Sequence, residues 1–285
     1  GLGDITGVTL YEQHLTIAAD EIGTTTNALL ALNDSTALGD EDVFFEVDVS
    51  NNLTVCGVGT CPYANLYVGA NQIYLPSTST VATIDTHDFI NDGIIELDAN
   101  VFNVSGSWEN NATSSTDIST INLTATSGAE TITSLESPLD FHNLSFGSGA
   151  GLATFTIATD LDLSGDLTVA SGTLDRSTFD INLAGSLTNG SGGFWSGTGT
   201  TTFDGGSGLT WTDNNPVTQN IGNVLIDGAN AFVTVSGDVS AYDVIIGLND
   251  TLAGGSGTIF VAGDFTNNGT FNAETGTVEI VADDR

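Results

Sequence analysis

One short pattern recurs along this chain: apolar–x–apolar–[S/A]–G–[D/S]–apolar. Its five copies are FNVSGSW (residues 102–108), LDLSGDL (161–167), INLAGSL (181–187), VTVSGDV (233–239) and IFVAGDF (259–265). Apolar side chains at alternate positions are typical of a β-strand with one buried face. The small residue and the glycine that follow allow a bend where a Cβ would clash. Each copy therefore predicts a strand, a bend and the start of a second strand.

The spacing of the copies indicates a repeat architecture. Leu161 and Ile181, which open two copies, are 20 residues apart, close to one coil of a β-solenoid. A longer period also emerges, because FHNLSF (141–146) recurs 80 residues later as IGNVLI (221–226). Similarly, LAGSLTN (183–189) recurs 78 residues later as VAGDFTN (261–267). Self-similarity at a fixed period is the signature of stacked structural units.

The fold class predicted is all-β. Only residues 24–34 have a pattern that fits a short helix, and that apolar run fits a buried strand equally well. Elsewhere, short runs rich in Val, Ile, Thr and Phe are broken by Gly, Asn, Asp and Ser. We favour a right-handed β-helix, a β-solenoid with one continuous core, over tandem β-sandwich domains of about 80 residues each.

The N-terminal third does not show the repeat clearly. We predict a β-rich cap or lead-in region over residues 1–85 and a repetitive solenoid of roughly 80-residue units over residues 86–285. The lead-in opens with an extended stretch over about residues 1–21. It also contains Cys56 and Cys61, which we expect to form a local disulfide, since no further Cys or nearby His completes a metal site.

The charge balance excludes several partners. The chain has 36 acidic residues against two basic ones, Arg176 and Arg285, so its formal net charge is −34. Nucleic acid and anionic membranes bind through clustered Lys and Arg, so both are excluded. Carboxylates leave Ca²⁺ as an allowed partner, but no motif supports a site, and we assign no metal ligand and no cofactor. No apolar run is long enough for a transmembrane segment.

Nine N-x-S/T sequons make glycosylation a reasonable expectation for a secreted chain. The few basic residues also leave trypsin-like proteases little to cleave, which suits an extracellular or cell-surface setting. The candidate glycosylation sites are Asn33, Asn52, Asn103, Asn111, Asn122, Asn143, Asn189, Asn249 and Asn268.

The repeats resemble those of very large secreted bacterial surface proteins. The stretches that carry the resemblance are SGDLTVASGTLD, AGDFTNNGTFNAETGTVEI and SGAETITS with the later FHNLSF, and it covers roughly residues 100–285. The similar families are filamentous-haemagglutinin-like and autotransporter-like β-helical passengers and the long repetitive surface proteins of uncultivated bacteria. The resemblance implies an extracellular structural or adhesive role and brings no catalytic residues.

The physics of a solenoid suggests how such a chain assembles. A stack of coils ends in exposed core and unpaired backbone, which template pairing with another chain. We expect head-to-tail polymerisation by coil stacking or by donation of an N-terminal strand through Val8, Leu10, Leu15 and Ile17. The alternative is that residues 1–21 form the first edge strand of their own fold.

An enzymatic role has weaker support. Asp160 and Asp162 share a strand face and resemble the carboxylate pair of a glycosidase, but such pairs arise easily among 36 acids. Arg176, the one internal basic residue, is predicted to be solvated on a turn. His14, His87 and His142 form no catalytic spacing, and Trp108, Trp195 and Trp211 fit core or stacking roles better than a sugar platform.

The sequence therefore predicts a non-enzymatic structural subunit of an extracellular filament, with further copies of itself as partners. A non-polymeric β-helical adhesin that binds surface glycans is the alternative, and a carbohydrate-active β-helix enzyme comes third.

Overall fold

A computed structural model describes most of the chain after residue 82. The described residues are 9–11, 14–18, 42–46, 53–54, 60–62, 65–68, 73–75, 81, 83–112, 114–115, 118–148 and 151–281. The chain divides into two compact units. The first comprises Gly1–Thr124 with Thr131–Glu136, and the second comprises Ala125–Glu130 with Ser137–Arg285.

Short β-strands make up both units. The strands up to residue 134 are β1 (Thr9–Tyr11), β2 (His14–Ala18), β3 (Asp42–Glu46), β4 (Leu53–Thr54), β5 (Thr60–Pro62), β6 (Asn65–Val68), β7 (Ile73–Leu75), β8 (Thr83–Thr86), β9 (Asp88–Asn91), β10 (Ile94–Glu96), β11 (Val101–Val104), β12 (Trp108–Asn110), β13 (Ser114–Ser115), β14 (Thr120–Leu123) and β15 (Ala129–Ser134). The later strands are β16 (Leu139–Phe141), β17 (Asn143–Phe146), β18 (Thr154–Ile157), β19 (Leu161–Leu163), β20 (Leu167–Asp175), β21 (Ile181–Leu183), β22 (Leu187–Ser196), β23 (Thr200–Phe203), β24 (Ser207–Asp213), β25 (Asn223–Ile226), β26 (Phe232–Ser236), β27 (Val239–Ala241), β28 (Val244–Ile246), β29 (Thr251–Ala253), β30 (Thr258–Val261), β31 (Phe265–Asn267), β32 (Thr270–Asn272) and β33 (Thr277–Ile280).

The first unit contains three rows of parallel strands, and successive strands of the chain visit the rows in turn. One row is β3–β6–β9–β12–β15, the next is β4–β7–β10–β13, and the third is β5–β8–β11–β14. Three strands such as β9, β10 and β11 therefore make one coil. Before the coils, β1 and β2 form an antiparallel pair, and β2 joins β3 in parallel.

The second unit repeats this arrangement over seven coils. Its first row, named here the C row, is β16–β19–β21–β23–β25–β28–β31. A second row runs from β17 through β20, β22, β24, β26 and β29 to β32, and a third is β27–β30–β33. Parallel strands in neighbouring coils lie about 4.8 Å apart, so each coil lengthens the stack by that distance.

The core consists of inward side chains that stand directly above one another. In the C row, one column is Leu139, Leu161, Ile181, Thr201, Val224 and Val244, and all of these residues are buried. In the first unit the rings of Phe89 and Trp108 stack with centroids 4.1 Å apart. Because each column is apolar from coil to coil, alternation within each strand is enough to specify which face is buried.

The stacking also explains the glycine of the recurring pattern. All five copies form strand, bend and strand, as predicted, with β19, β20, β21 and β22 supplying two of them. A Cβ added at Gly185 would overlap the backbone oxygen of Gly165 one coil earlier. The glycine is therefore required by the coil below it, not only by its own bend.

The β-solenoid prediction is confirmed. The described strands make about nine turns, and no helix occurs among these residues. The alternative of tandem β-sandwiches is wrong, because sandwich strands pair antiparallel whereas the rows above are parallel. The two long echoes lie in different rows: residues 143–146 form β17, while residues 223–226 form β25 of the C row. The division at residues 85 and 86, the roughly 80-residue unit and the right-handed sense stay predictions.

Substitution of the bend glycine tests the crowding between coils. We expect Gly185→Ala to lower the free energy of unfolding by about 1–3 kcal/mol, since a backbone atom of the neighbouring coil must move. Gly206→Ala is the matched control, because a Cβ there would meet no atom within 4 Å. Urea denaturation measures both. Equal effects of the two substitutions would contradict the crowding argument.

Candidate functional site

Many of the acidic side chains at the bends have a structural task. In the second unit, the backbone N–H of Asp180 donates to Asp160 Oδ1 over 2.8 Å, and that of Thr200 donates to Asp180 Oδ1 over 2.6 Å. Asp238 accepts in the same way from Thr258 one coil later. These bonds satisfy backbone donors where the strand ladder is interrupted, and a charged acceptor makes them stronger. An abundance of carboxylates at the bends is therefore no sign of catalysis.

The Asp160 and Asp162 pair is divided between two different environments. Asp160 accepts the Asp180 N–H just described, and its backbone oxygen accepts from Leu139. Asp162 faces outward from the middle of β19, directly beside Asp140 of β16. Asp160 therefore holds neighbouring coils together, and the structure gives the pair no shared catalytic geometry.

Three carboxylates along the C row influence one another instead. Burial and the charge of Asp162 raise the pKa of Asp140, although the side chain of Asp140 is exposed. Burial and Asp162 also raise the pKa of Asp204, which is lowered in part by its own backbone. Asp204 Oδ1 is buried and makes no hydrogen bond. Sequence spacing hid this group, because its members come from three different coils.

The prediction for Arg176 is wrong. Arg176 is buried, with 1% of its surface exposed. Its Nη1 donates to Thr201 Oγ1 over 2.7 Å, its Nη2 donates to the backbone oxygen of Gly199, and the Trp195 ring lies 5.7 Å from the guanidinium carbon. The guanidinium occupies space that a side chain at Gly222 would fill. Two distant glycine positions therefore cover an arginine that local sequence places on a surface turn.

The aromatic and histidine side chains have structural positions. Trp108 and Trp211 are buried, as predicted, whereas Trp195 is half-buried and donates to Asn189 Oδ1. His87 and His142 lie at equivalent bends, and each contacts a serine hydroxyl of the next coil through Nδ1, at 3.1 and 2.9 Å. His14 lies in β2. The described histidines are therefore not brought together.

The structure separates the sequons by exposure. Asn249 and Asn268 are exposed at bends, so both are open to a glycan. Asn189 is buried and its amide donates to Asp213 Oδ1 over 3.0 Å, so the glycosylation predicted there conflicts with the fold. Side chains that take part in hydrogen bonds to neighbouring coils, and are half-buried, are those of Asn103, Asn111, Asn122 and Asn143. Asn33 and Asn52 lie outside the described residues.

Only part of the predicted N-terminal strand is described. Leu10 lies in β1, and Leu15 and Ile17 lie in β2, where they pair with Val43 and Phe45 of β3. This is the arrangement of the alternative, in which the stretch is an edge of its own fold. Val8 and Cys56 lie outside the described residues, and Cys61 lies in β5. Strand donation and the disulfide stay predictions.

The last described coil differs from every coil before it in the second unit. It consists of β31, β32 and β33, which pair with β28, β29 and β30 on one side. The core residues one coil earlier, Val244, Leu252, Ile259 and Val261, are 0% exposed. Their counterparts Phe265, Phe271 and Val278 are half-exposed, and Ile280 is 62% exposed. This coil therefore presents apolar side chains together with three strand edges, and we name it the terminal coil.

Comparison with known proteins leaves the fold as the only link to other chains. No protein-family model matches the sequence, and no curated protein or solved structure matches it significantly. Among the described residues no helix has the length and hydropathy of a membrane span. Within the same ranges no group of three or more His, Cys, Asp or Glu side chains is arranged to hold a metal ion. The resemblance to secreted bacterial surface proteins is supported as far as the β-solenoid and no further.

The shared influence of Asp162 is testable by titration. We expect Asp162→Asn to lower the pKa of both Asp140 and Asp204, but not to their ordinary value, because burial remains. Carboxyl NMR titration measures this, with the exposed Asp264→Asn as control. An Asp162→Asn protein with unchanged titration of both residues would contradict the assignment.

The same substitution changes the dependence of stability on pH. A raised folded pKa means that the folded chain binds the proton more tightly than the unfolded chain, so stability falls as pH rises through the folded pKa. Asp162→Asn should therefore be more stable than the native sequence at pH 7, by less than about 1 kcal/mol because solvent screens these groups. The difference should vanish below pH of about 3.5, where the carboxyls are protonated in both states.

The buried arginine gives another stability test. Arg176→Met should lower the free energy of unfolding by about 2–4 kcal/mol, since it leaves two buried acceptors without their donor. Thr201→Val removes one of these bonds and should cost about 1 kcal/mol. Urea denaturation compares the two. A neutral effect of Arg176→Met would show that the guanidinium is solvated after all.

Proposed function

We propose that this chain is a structural subunit of an extracellular fibre, and that copies join end to end by adding coils to one another. The observation that carries the proposal is the terminal coil. Its apolar residues continue the core columns of the second unit but lack the cover that every earlier coil receives from the next.

The terminal coil has both components of a self-assembly surface. Phe265 and Phe271 form an edge-to-face pair with centroids 5.3 Å apart, and Ile280 extends the apolar surface. Beside them run the unpaired edges of β31, β32 and β33, which are templates for further parallel strands. A contact between one end of a subunit and a different end of the next does not close on itself, so it propagates into a filament.

The complementary surface lies at the N-terminal strands of the next copy. Among the described strands, β1 has a partner on one side only, since it pairs with β2. Sequence composition supports the extracellular setting, because a chain with two basic residues offers few sites to trypsin-like proteases. Recognition of glycans by an adhesin of the same fold is the alternative, and an enzyme has no assembled site to support it among the described residues.

Charged substitutions in the terminal coil test the proposal. The native protein should form regular fibres in negative-stain electron microscopy and should sediment, whereas Phe271→Asp should leave dispersed, folded subunits because a carboxylate cannot enter an apolar interface. Leu152→Asp is the control, since Leu152 is 81% exposed in a different coil and its substitution should leave fibres intact. Circular dichroism confirms that both variants fold.

Two outcomes would redirect the proposal. Native protein that stays monomeric at high concentration and binds sugars saturably would contradict the fibre and favour the adhesin. Fibres that survive Phe271→Asp but vanish when residues 1–19 are deleted would contradict coil stacking and favour donation of the N-terminal strand.

A further inference from the structure

A buried carboxylate in the second unit lacks half of its partners. Asp250 is 0% exposed, and it follows β28 at the bend before β29. Its Oδ1 accepts from the backbone N–H of Ala231 over 2.7 Å, while its Oδ2 makes no hydrogen bond. An ionised carboxylate removed from water is strongly unfavourable unless a donor or a cation neutralises it. Oδ2 therefore needs a partner that the protein chain does not supply.

A second carboxylate faces the same space. The point where a Cβ would stand at Gly247 is 2.8 Å from Asp250 Oδ2, 2.9 Å from Asp227 Oδ1 and 2.7 Å from the backbone oxygen of Ile226. Residue 247 is a glycine, so no side chain fills this space between the two coils. Asp227 is exposed, which leaves the space open to solvent. Three oxygens from two successive coils thus converge, and one of them belongs to a buried charge.

The chain has almost no cation of its own to offer. It contains two basic residues, and Arg176 is committed to Thr201 and Gly199. Neutralisation from solvent is the remaining route. Oxygen-only ligands suit a hard divalent cation, and Ca²⁺ accepts irregular oxygen geometry and completes its shell with water, whereas Mg²⁺ demands a near-ideal octahedron.

We propose that Asp227 and Asp250 bind a Ca²⁺ ion that ties two neighbouring coils together at the Gly247 bend. With two carboxylates and a shell completed by water, the affinity falls in the range of extracellular modules, about 10⁻⁴–10⁻³ M. The site is smaller than a cluster of three ligating side chains, so it agrees with the finding that no such cluster exists among the described residues. It is independent of the fibre proposal.

Thermal unfolding in 0.15 M NaCl, with either EDTA or 5 mM CaCl₂, tests the site. Ca²⁺ should raise the Tm of the native protein by about 3 °C. Asp250→Asn should reverse the order: in EDTA it melts above the native protein, because the buried charge is gone, and it gains nothing from Ca²⁺. Asp227→Asn, at an exposed residue, should also lose the Ca²⁺ response, and it keeps the test open if Asp250→Asn folds poorly.

The control distinguishes a site from diffuse attraction to a chain with a net charge of −34. Asp264→Asn removes one exposed carboxylate elsewhere in the same unit and should keep the full Ca²⁺ response. An equal response in the native protein, Asp227→Asn and Asp264→Asn would overturn the proposal, and so would a native Tm that Ca²⁺ does not move. Calorimetric titration should give about one site per native chain and none for Asp227→Asn.

Discussion

Everything in this fold depends on each coil placing the same kinds of atoms above those of the coil before it. Parallel strands about 4.8 Å apart leave no room for a change of register, because a slip by one residue would turn every inward side chain outward. The column from Leu139 to Val244 shows the result, since one position per coil stays buried through six coils. Stability is therefore built from contacts between neighbouring coils, and the end of the stack is the place where such contacts are missing.

The bends face the same constraint with polar groups. A bend interrupts the strand ladder, so its backbone N–H groups need other acceptors, and side chains such as Asp160 and Asp238 provide them one coil away. The coil below also limits size, as Gly185 shows by its approach to Gly165. A small residue, a glycine and a short polar residue are what both demands leave, and this is why one chemically plain phrase recurs along the chain.

Sequence patterns reveal the parts of this fold that repeat at the level of a single coil. The alternation in LDLSGDL predicts β19, its bend and β20, and the 20-residue step to INLAGSL predicts the pairing of Leu161 with Ile181. Features that depend on several coils escaped. Arg176 is covered from Gly199 and Gly222, more than 20 residues away, and nothing in its local sequence signals burial. Asp250 and Asp227 converge only because residue 247 is a glycine in the coil between their side chains. The long echoes misled because residues 143–146 and 223–226 resemble each other as strands while lying in different rows.

Charge limits the repeat from the outside, and this explains why the outward positions carry so little of it. The middle residues of the C row are Asp140, Asp162, Asn182, Thr202, Leu225, Ile245 and Thr266. Two aspartates one coil apart already raise the pKa of Asp140, so a carboxylate at every coil would add repulsion at each step with no lysine to offset it. Neutral side chains follow instead. The inward columns and the bends are held constant by packing, whereas the outer face must vary, so a chain of this composition hides most of its periodicity on the surface that solvent sees.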